Sequence, residues 1–458
     1  MRALMVQGTS SWAGKSLLVT ALARLAARRG IAVAPFKAQN MSNNARVVDG
    51  GEIGVAQYLQ ARAARVEPDV RMNPVLVKPE ADSRSQVVVL GRPDLGLSRR
   101  AWRERPPSLW PVIERSLRAL AAEYDLLLIE GAGSPAEINL MSTDLANMRV
   151  ARLAGARVLL VADIERGGAF AHLYGTWALL EPEDRERLCG FALNKFRGDP
   201  ALLHPGPDLL RERTGVPVLG VIPRIEHGLP DEDGAATPAR AGGRPTVAVI
   251  RYPTASNLDE FKALEQIADV AWATTPAQLD GVDLVVLPGS KHVAADLGWL
   301  RARGFPAALT RAQRVLGICG GLQMLGERVD DPTGVEGGAA GLGRLALRTT
   351  FAPQKATRRT TARFGELGEP WAALSGLEVS GYEIRHGETV ALDGPAVLEP
   401  DLGFVAGPVL GLYLHGLFEQ PALARALLGA APERSLDQEL DRLADAVEPH
   451  LDLEGLLR

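Results

Sequence analysis

Two consecutive α/β domains are predicted from three observations. Short apolar runs recur at 3–7, 125–129, 157–163, 190–194 and 216–222, separated by helical periodicity. Runs that are apolar on both faces suit a largely parallel sheet covered by helices. A stretch at 226–243, rich in Gly, Pro and Ala and without periodicity, precedes a second series of the same kind. The length of 458 residues gives two or three domains.

The first domain is drawn over 1–227. Its opening strand at 3–7 runs into a glycine-rich loop and then a helix at 16–29, whose Leu and Ala residues keep helical spacing until Gly30 stops it. The linker is drawn over 228–245 and the second domain over 246–458. There, strands at 246–251, 283–287 and 314–318 alternate with helices at 257–267 and from Gly321. Beyond Leu345 the segments become strand-like, through 378–386 and 409–413, and the last 35 residues or so read as a helical segment of this domain.

Composition narrows the function. The chain is 46% apolar and 23% charged, which supports packed cores and excludes a disordered chain. Fifty-one Lys and Arg against 55 Asp and Glu leave −4, so no basic excess marks a nucleic-acid binder. No apolar run reaches the roughly 20 residues of a membrane span. The start passes from one basic residue directly into the glycine loop, unlike a signal peptide, so the cytoplasm is the expected compartment. The two cysteines, Cys189 and Cys319, exclude a disulfide scaffold.

The loop Gly8-Thr9-Ser10-Ser11-Trp12-Ala13-Gly14-Lys15-Ser16 lies between strand and helix. In that setting backbone N–H groups and the helix N-terminus face a phosphate, Lys15 reaches its outer oxygens, and the Ser16 hydroxyl suits Mg²⁺. The spacing departs from the common loop, because Thr9 stands where its first glycine belongs. Mg²⁺ also needs carboxylates. Glu130 follows an apolar strand, at the strand end where α/β sheets place ligands; Glu52 and Asp163 are weaker candidates that ordinary helix capping explains as well. The segment from Pro35 to Asn44, including Lys37, Gln39 and Asn40, is dense in amides and hydroxyls and suits a surface that hydrogen-bonds a large polar ligand.

In the second half, Cys319 follows the strand at 314–318 within Gly317-Ile318-Cys319-Gly320-Gly321. A nucleophile on a tight strand-to-helix turn needs small neighbours, and the following helix N-terminus favours a thiolate. Cys189 has no such setting and reads as buried packing. A thiolate nucleophile needs a base, for which His415 at a strand end and His386 are rivals that spacing does not separate. Gly320 and Gly289 are suited to supply backbone donors to an oxyanion.

These residues carry a resemblance. The second half resembles class I glutamine amidotransferases, a flavodoxin-like fold, and the first half resembles dethiobiotin synthetase and its relatives, P-loop proteins whose phosphate loop has the same Gly-Thr form. The ordered set Phe36-Lys-Ala-Gln-Asn-Met-Ser, Gly51-Glu-Ile-Gly, Met72-Asn-Pro, Glu130-Gly-Ala-Gly-Ser-Pro and Leu193-Asn-Lys-Phe resembles the cobyric acid synthase family along nearly the whole chain. The resemblance implies that Cys319 and His415 hydrolyse glutamine with Gly289 at the oxyanion. ATP and Mg²⁺ would activate corrinoid carboxylates as acyl phosphates, which ammonia attacks. It also implies that Gly8, Thr9, Gly14, Lys15, Ser16 and Asn194 bind ATP, with Asn194 at the adenine edge. Ser16, Glu52 and Glu130 would stand on the metal side, and Lys37 near the transferred phosphate.

One departure stands out: the Glu that many such amidotransferases place two residues after the His is Leu417 here, and the nearest acid is Glu419. A Cys–His dyad is therefore expected, with the orientation of His415 left to another group and Glu419 in doubt as a third member. The implied partners are a corrinoid and glutamine, with no nucleic acid or membrane, and a homo-oligomer is left open. The nearest alternative is cobyrinic acid a,c-diamide synthase, which uses the same chemistries on other carboxylates. A non-catalytic ATP switch is the alternative of another class.

Overall fold

The computed structural model describes residues 1–81, 84–230, 243–394 and 396–457. It divides into two compact units: Met1–Ser42, Val48–Leu229 and Leu436–Arg458 form the first, and Asn43–Val47 with Pro230–Ser435 form the second.

The first unit is built on a six-stranded sheet in the order Val218–Pro223, Leu188–Phe196, Arg157–Asp163, Arg2–Gly8, Leu126–Glu130, Val33–Phe36. Every neighbouring pair is parallel. Two apolar clusters cover its two faces, which is why Leu126–Glu130 is buried at every position and reads as a continuous apolar run. Parallel strands bring their C-terminal ends to one edge, so Gly8, Glu130, Asp163 and Asn194 share it. The helix Lys15–Arg28 rises from that edge. A smaller sheet of Gln39–Met41, Val75–Ala81, Arg84–Val89 and Arg92–Pro93 stands apart from the main one.

The C-terminal segment departs from the expected division. Leu436–Arg458 belongs to the first unit, although the sequence reading places it with the second. The apolar side of the helix Leu436–Val447, carrying Leu440, Leu443, Ala444 and Val447, joins the cluster that holds Leu18, Leu22 and Leu25. Its acids meet the arginines of the first helix: Asp437 lies 2.7 Å from Arg24 and Asp441 2.7 Å from Arg28. The stretch read as a linker, 228–245, falls largely on residues 231–242, which lie outside the described residues.

The second unit has its own six-stranded sheet, in the order Asp269–Ala273, Thr246–Ile250, Leu284–Leu287, Val315–Ile318, Val409–Leu412, Gly403–Ala406. Only the last pair is antiparallel. The helix expected at 257–267 is instead two 3₁₀ turns, Leu258–Lys262 and Leu264–Gln266. Asp259 and Glu260 on the first turn are buried against charged partners, and those tertiary contacts override helical periodicity. The strand read at 378–386 is longer, Glu378–Ala391, and pairs antiparallel with Leu347–Arg363. Among the described residues no helix is long and apolar enough to cross a membrane.

Candidate active sites

The phosphate loop closes against the strand ends. Thr9 N donates to Val161 O at 2.9 Å, and Asn194 Nδ2 donates to Ala13 O at 2.9 Å. Gly14 has φ 98°, and a Cβ there would stand 1.9 Å from Asn194 Nδ2, so only glycine fits. Asn194 therefore packs on the loop itself. Lys15 Nζ donates to the carbonyls of Ser10 at 3.0 Å and Gly133 at 3.2 Å, which folds the lysine back over the loop. The Thr9 hydroxyl is buried and has no partner among the described residues, a polar atom left over in a loop shaped for an anion.

Glu130 gathers the neighbouring groups. Its Oε1 accepts from Ser16 Oγ at 2.8 Å and from Lys37 Nζ at 2.8 Å; its Oε2 accepts from Gln60 Nε2 at 2.5 Å and Gln57 Nε2 at 3.4 Å. Asn40 Nδ2 extends the chain to Gln57 Oε1 at 2.9 Å. Ser16 and Lys37 thus meet at Glu130, and Asn40 reaches the same group through Gln57. Glu52 forms a fully buried ion pair with Lys78. Asp163 lies 2.9 Å from Lys195, whose Nζ also donates to Trp12 O. Gln60 escapes sequence reasoning because a buried amide on a helix carries no spacing signal; Lys78-Pro79 reads as a turn signal in sequence, whereas Lys78 lies in the strand Val75–Ala81.

Cys319 sits at the turn between Val315–Ile318 and the helix Gly320–Leu325 with φ 53°, a strained conformation for a side chain this exposed to its neighbours' backbone. The strain is held by packing: a Cβ on Gly320 would lie 2.7 Å from Ser290 N, and one on Gly321 2.0 Å from Leu287 O. Gly289 adjoins His415, since a Cβ there would stand 3.3 Å from His415 Cε1. Cys319, Gly289, Gly320 and His415 are therefore brought together. His386 is turned elsewhere, its Nδ1 3.2 Å from Ala352 O.

The group left open beside the Cys–His pair is Glu260. Its Oε1 accepts from His415 Nδ1 at 2.8 Å, and its Oε2 accepts from Gly416 N at 3.1 Å. Glu260 precedes Cys319 in the chain and stands far from the position two residues after His415 where many relatives carry their acid. Burial pulls the His415 pKa down, but the Glu260 charge and the hydrogen bond with Cys319 outweigh it and raise the value to about 10. The Tyr382 ring stacks on the imidazole with centroids 5.3 Å apart. Beneath it, Arg46 from the segment Asn43–Val47 lies 2.6 Å from Asp259 and also pairs with Glu419, which gives Glu419 a partner other than His415.

One unit brings a cysteine, a histidine and a glutamate together beside two glycines, and the other sets the phosphate loop beside a single buried carboxylate, Glu130. Known proteins agree with that division. The model for the CobQ/CobB/MinD/ParA nucleotide binding domain matches residues 4–229, and that for the CobB/CobQ-like glutamine amidotransferase domain matches 246–423. Cobyric acid synthase of Paracidovorax citrulli is 57% identical over 479 residues, covering 98% of this chain and 97% of that protein. Its counterpart from Variovorax paradoxus is 55% identical over 476 residues, covering 100% of this chain and 99% of that protein. Similarity of this degree, running from end to end through both sites, shows that the chain belongs to the cobyric acid synthase family.

Proposed function

We propose that the protein amidates the b, d, e and g carboxylates of adenosylcobyrinic acid a,c-diamide, using ATP, Mg²⁺ and ammonia taken from glutamine. The observation that carries this reading is the presence in one chain of a Cys319–His415–Glu260 constellation and of Lys15, Ser16 and Glu130 around a phosphate loop. Full-length similarity to cobyric acid synthases supports it.

In the glutaminase unit the Cys319 thiolate attacks the carboxamide carbon of glutamine. The C–N bond breaks as the leaving nitrogen takes the proton held by His415, and ammonia departs from an acyl-thioester that water then hydrolyses to glutamate. Glu260 holds the imidazole by Nδ1, leaving the other ring nitrogen for this transfer. Gly289 and Gly320 are the backbone donors assigned to the oxyanion.

In the other unit the acceptor carboxylate takes the terminal phosphoryl group of ATP, ADP leaves, and ammonia displaces phosphate from the acyl phosphate. Lys15, Gly8, Thr9 and Gly14 form the anion-holding loop, and the buried, unpartnered Thr9 hydroxyl fits a phosphate oxygen. The oxygen donors Ser16 and Glu130 fit Mg²⁺, a hard cation that takes few protein ligands and supplies charge neutralisation to the phosphates. Glu52, held by Lys78, enters this site less directly than Glu130. Lys37 supplies positive charge beside Glu130, and Gln39 and Asn40 border the acceptor side.

The test uses Cys319→Ala in the full chain, with amidation followed by mass analysis. Glutamine-dependent turnover is expected to vanish while high ammonium still supports up to four amidations. Parental turnover with glutamine would overturn the glutaminase role, and failure of the parent protein to amidate the a,c-diamide would overturn the substrate.

A further inference from the structure

The loop that follows Glu130 walls a cavity of about 230 Å³ in the first unit. Residues 132–147 of that loop are braced by Asn147, whose Nδ2 donates to Ala132 O at 2.8 Å and whose Oδ1 accepts from Ala132 N at 3.0 Å. Trp102 and Leu140 line it, yet keep 41% and 39% of their surface exposed, so its mouth is an apolar rim. Ile138, beside the cavity in the chain, is 65% exposed. An apolar rim around a cavity offers contact surface to an apolar ligand.

Arg105 stands in the same cavity and is 5% exposed. Its guanidinium donates to Ser85 Oγ at 2.8 Å, Arg100 O at 3.1 Å and Ser98 O at 3.2 Å. Three of a guanidinium's five N–H groups are thereby used, and among the described residues no carboxylate neutralises it. A nearly buried arginine held by neutral oxygens and by the face of Trp102, 5.6 Å from the ring centroid, is equipped to take an anion from outside the chain.

The position of the cavity decides which anion. Gly133 lines it, and the carbonyl of Gly133 accepts from Lys15 Nζ at 3.2 Å, so the cavity opens beside the phosphate-loop lysine. Asn194, which the resemblance sets at the adenine edge, lies two strands away on the other side of Arg2–Gly8, whereas Glu130 ends the adjacent strand on the cavity side. With Asn194 in that role, the base of a nucleotide and the cavity fall on opposite sides of the phosphate loop.

We propose that this cavity and its rim seat the corrinoid acceptor, with Trp102 and Leu140 against the macrocycle and Arg105 gripping one of its carboxylate or carboxamide side chains. The proposal rests on the function proposed above and adds the residues that read the acceptor. It requires no step beyond binding. The acceptor's other side chains are then left to face Lys15 and Lys37.

The experiment measures binding of cobyrinic acid a,c-diamide to the full chain by quenching of tryptophan emission, with the affinity for an ATP analogue measured alongside. Arg105→Gln is expected to weaken corrinoid binding about tenfold, the usual effect of losing a charge-assisted hydrogen bond. Because Arg105 also ties backbone carbonyls, Leu140→Glu provides a second variant at an exposed position, where a like charge faces the acceptor's carboxylates; a similar loss is expected. Nucleotide affinity should hold in both. Unchanged corrinoid affinity in both variants, or a parallel fall in nucleotide affinity, would overturn the proposal while leaving the function intact. If the parent protein binds no corrinoid, the function and this inference fall together.

Discussion

Glu260 grips His415 and its neighbour at once, accepting from the imidazole Nδ1 at 2.8 Å and from the Gly416 N–H at 3.1 Å. Both carboxylate oxygens are thereby committed to one orientation of the ring. Glu260→Gln keeps the shape but removes the charge, and its amide can present a donor where His415 needs an acceptor. Glutamine-dependent turnover should fall by roughly 10²-fold or more, by analogy with loss of the orienting acid in other triads. Ammonium-dependent amidation should stay near the parental rate, and the ratio of the two rates is the measurement.

The raised pKa of His415 sets a pH window. With a folded value of about 10 against an ordinary 6.5, the imidazolium persists through neutral pH. A raised pKa contributes folding stability that is complete below the unfolded value and lost as pH rises through the folded one. The second unit should accordingly lose stability between about pH 6.5 and 10, and glutaminase activity should show its alkaline limb near the upper end. In Glu260→Gln that limb should move toward the ordinary imidazole range. A limb that stays in place would show that Glu260 does not set the charge of His415.

The sheets were legible in sequence because a central strand such as Leu126–Glu130 is a continuous apolar run that ends in a polar residue at the sheet edge. Cys319 and the phosphate loop were legible because glycine is forced wherever a Cβ would collide, as at Gly14 and Gly320. Glu260 was not, because it acts through a contact 155 residues away and sits on a 3₁₀ turn with no spacing of its own. The division between units was misread for a similar reason. The amphipathic pattern of 436–447 reveals a helix with an apolar side but not which core will receive it, and the arginines that select its place lie at Arg24 and Arg28.

That placement is testable by core truncation. Leu443 is 1% exposed within the cluster shared with the first helix. Leu443→Ala should destabilise the first unit by about 2–5 kcal/mol, as large-to-small core changes do. In thermal unfolding of the full chain, the transition that an ATP analogue shifts upward should occur at lower temperature in the variant. Loss confined instead to the transition insensitive to nucleotide would contradict the assignment of the C-terminal helix to the first unit.

Arg46 tests how the triad is kept in register. It is buried, lies 2.6 Å from Asp259, pairs with Glu419, and its guanidinium sits 5.3 Å from the centroid of the Tyr382 ring that stacks on His415. Asp259 adjoins Glu260 in the chain, so two buried carboxylates are held side by side with Arg46 as counter-charge to the first. Burial already pushes the Asp259 carboxyl upward while Arg46 pulls it down. Arg46→Met leaves Asp259 without that charge; it must then take a proton or move, and the turn carrying Glu260 moves with it. Glutamine-dependent turnover should drop about tenfold or more, following the size of a lost charge-assisted contact, with ammonium-dependent amidation spared. Protonating Asp259 relieves the repulsion, so the defect should shrink as pH is lowered. Arg46→Lys should recover part of the rate, since an ammonium offers charge but no planar fork to serve Asp259 and Glu419 together. The measurement is the ratio of glutamine- to ammonium-supported rates across pH for the three proteins. Equal losses with both nitrogen sources would mean that Arg46 serves the fold alone, and an unchanged ratio would remove it from the positioning of Glu260.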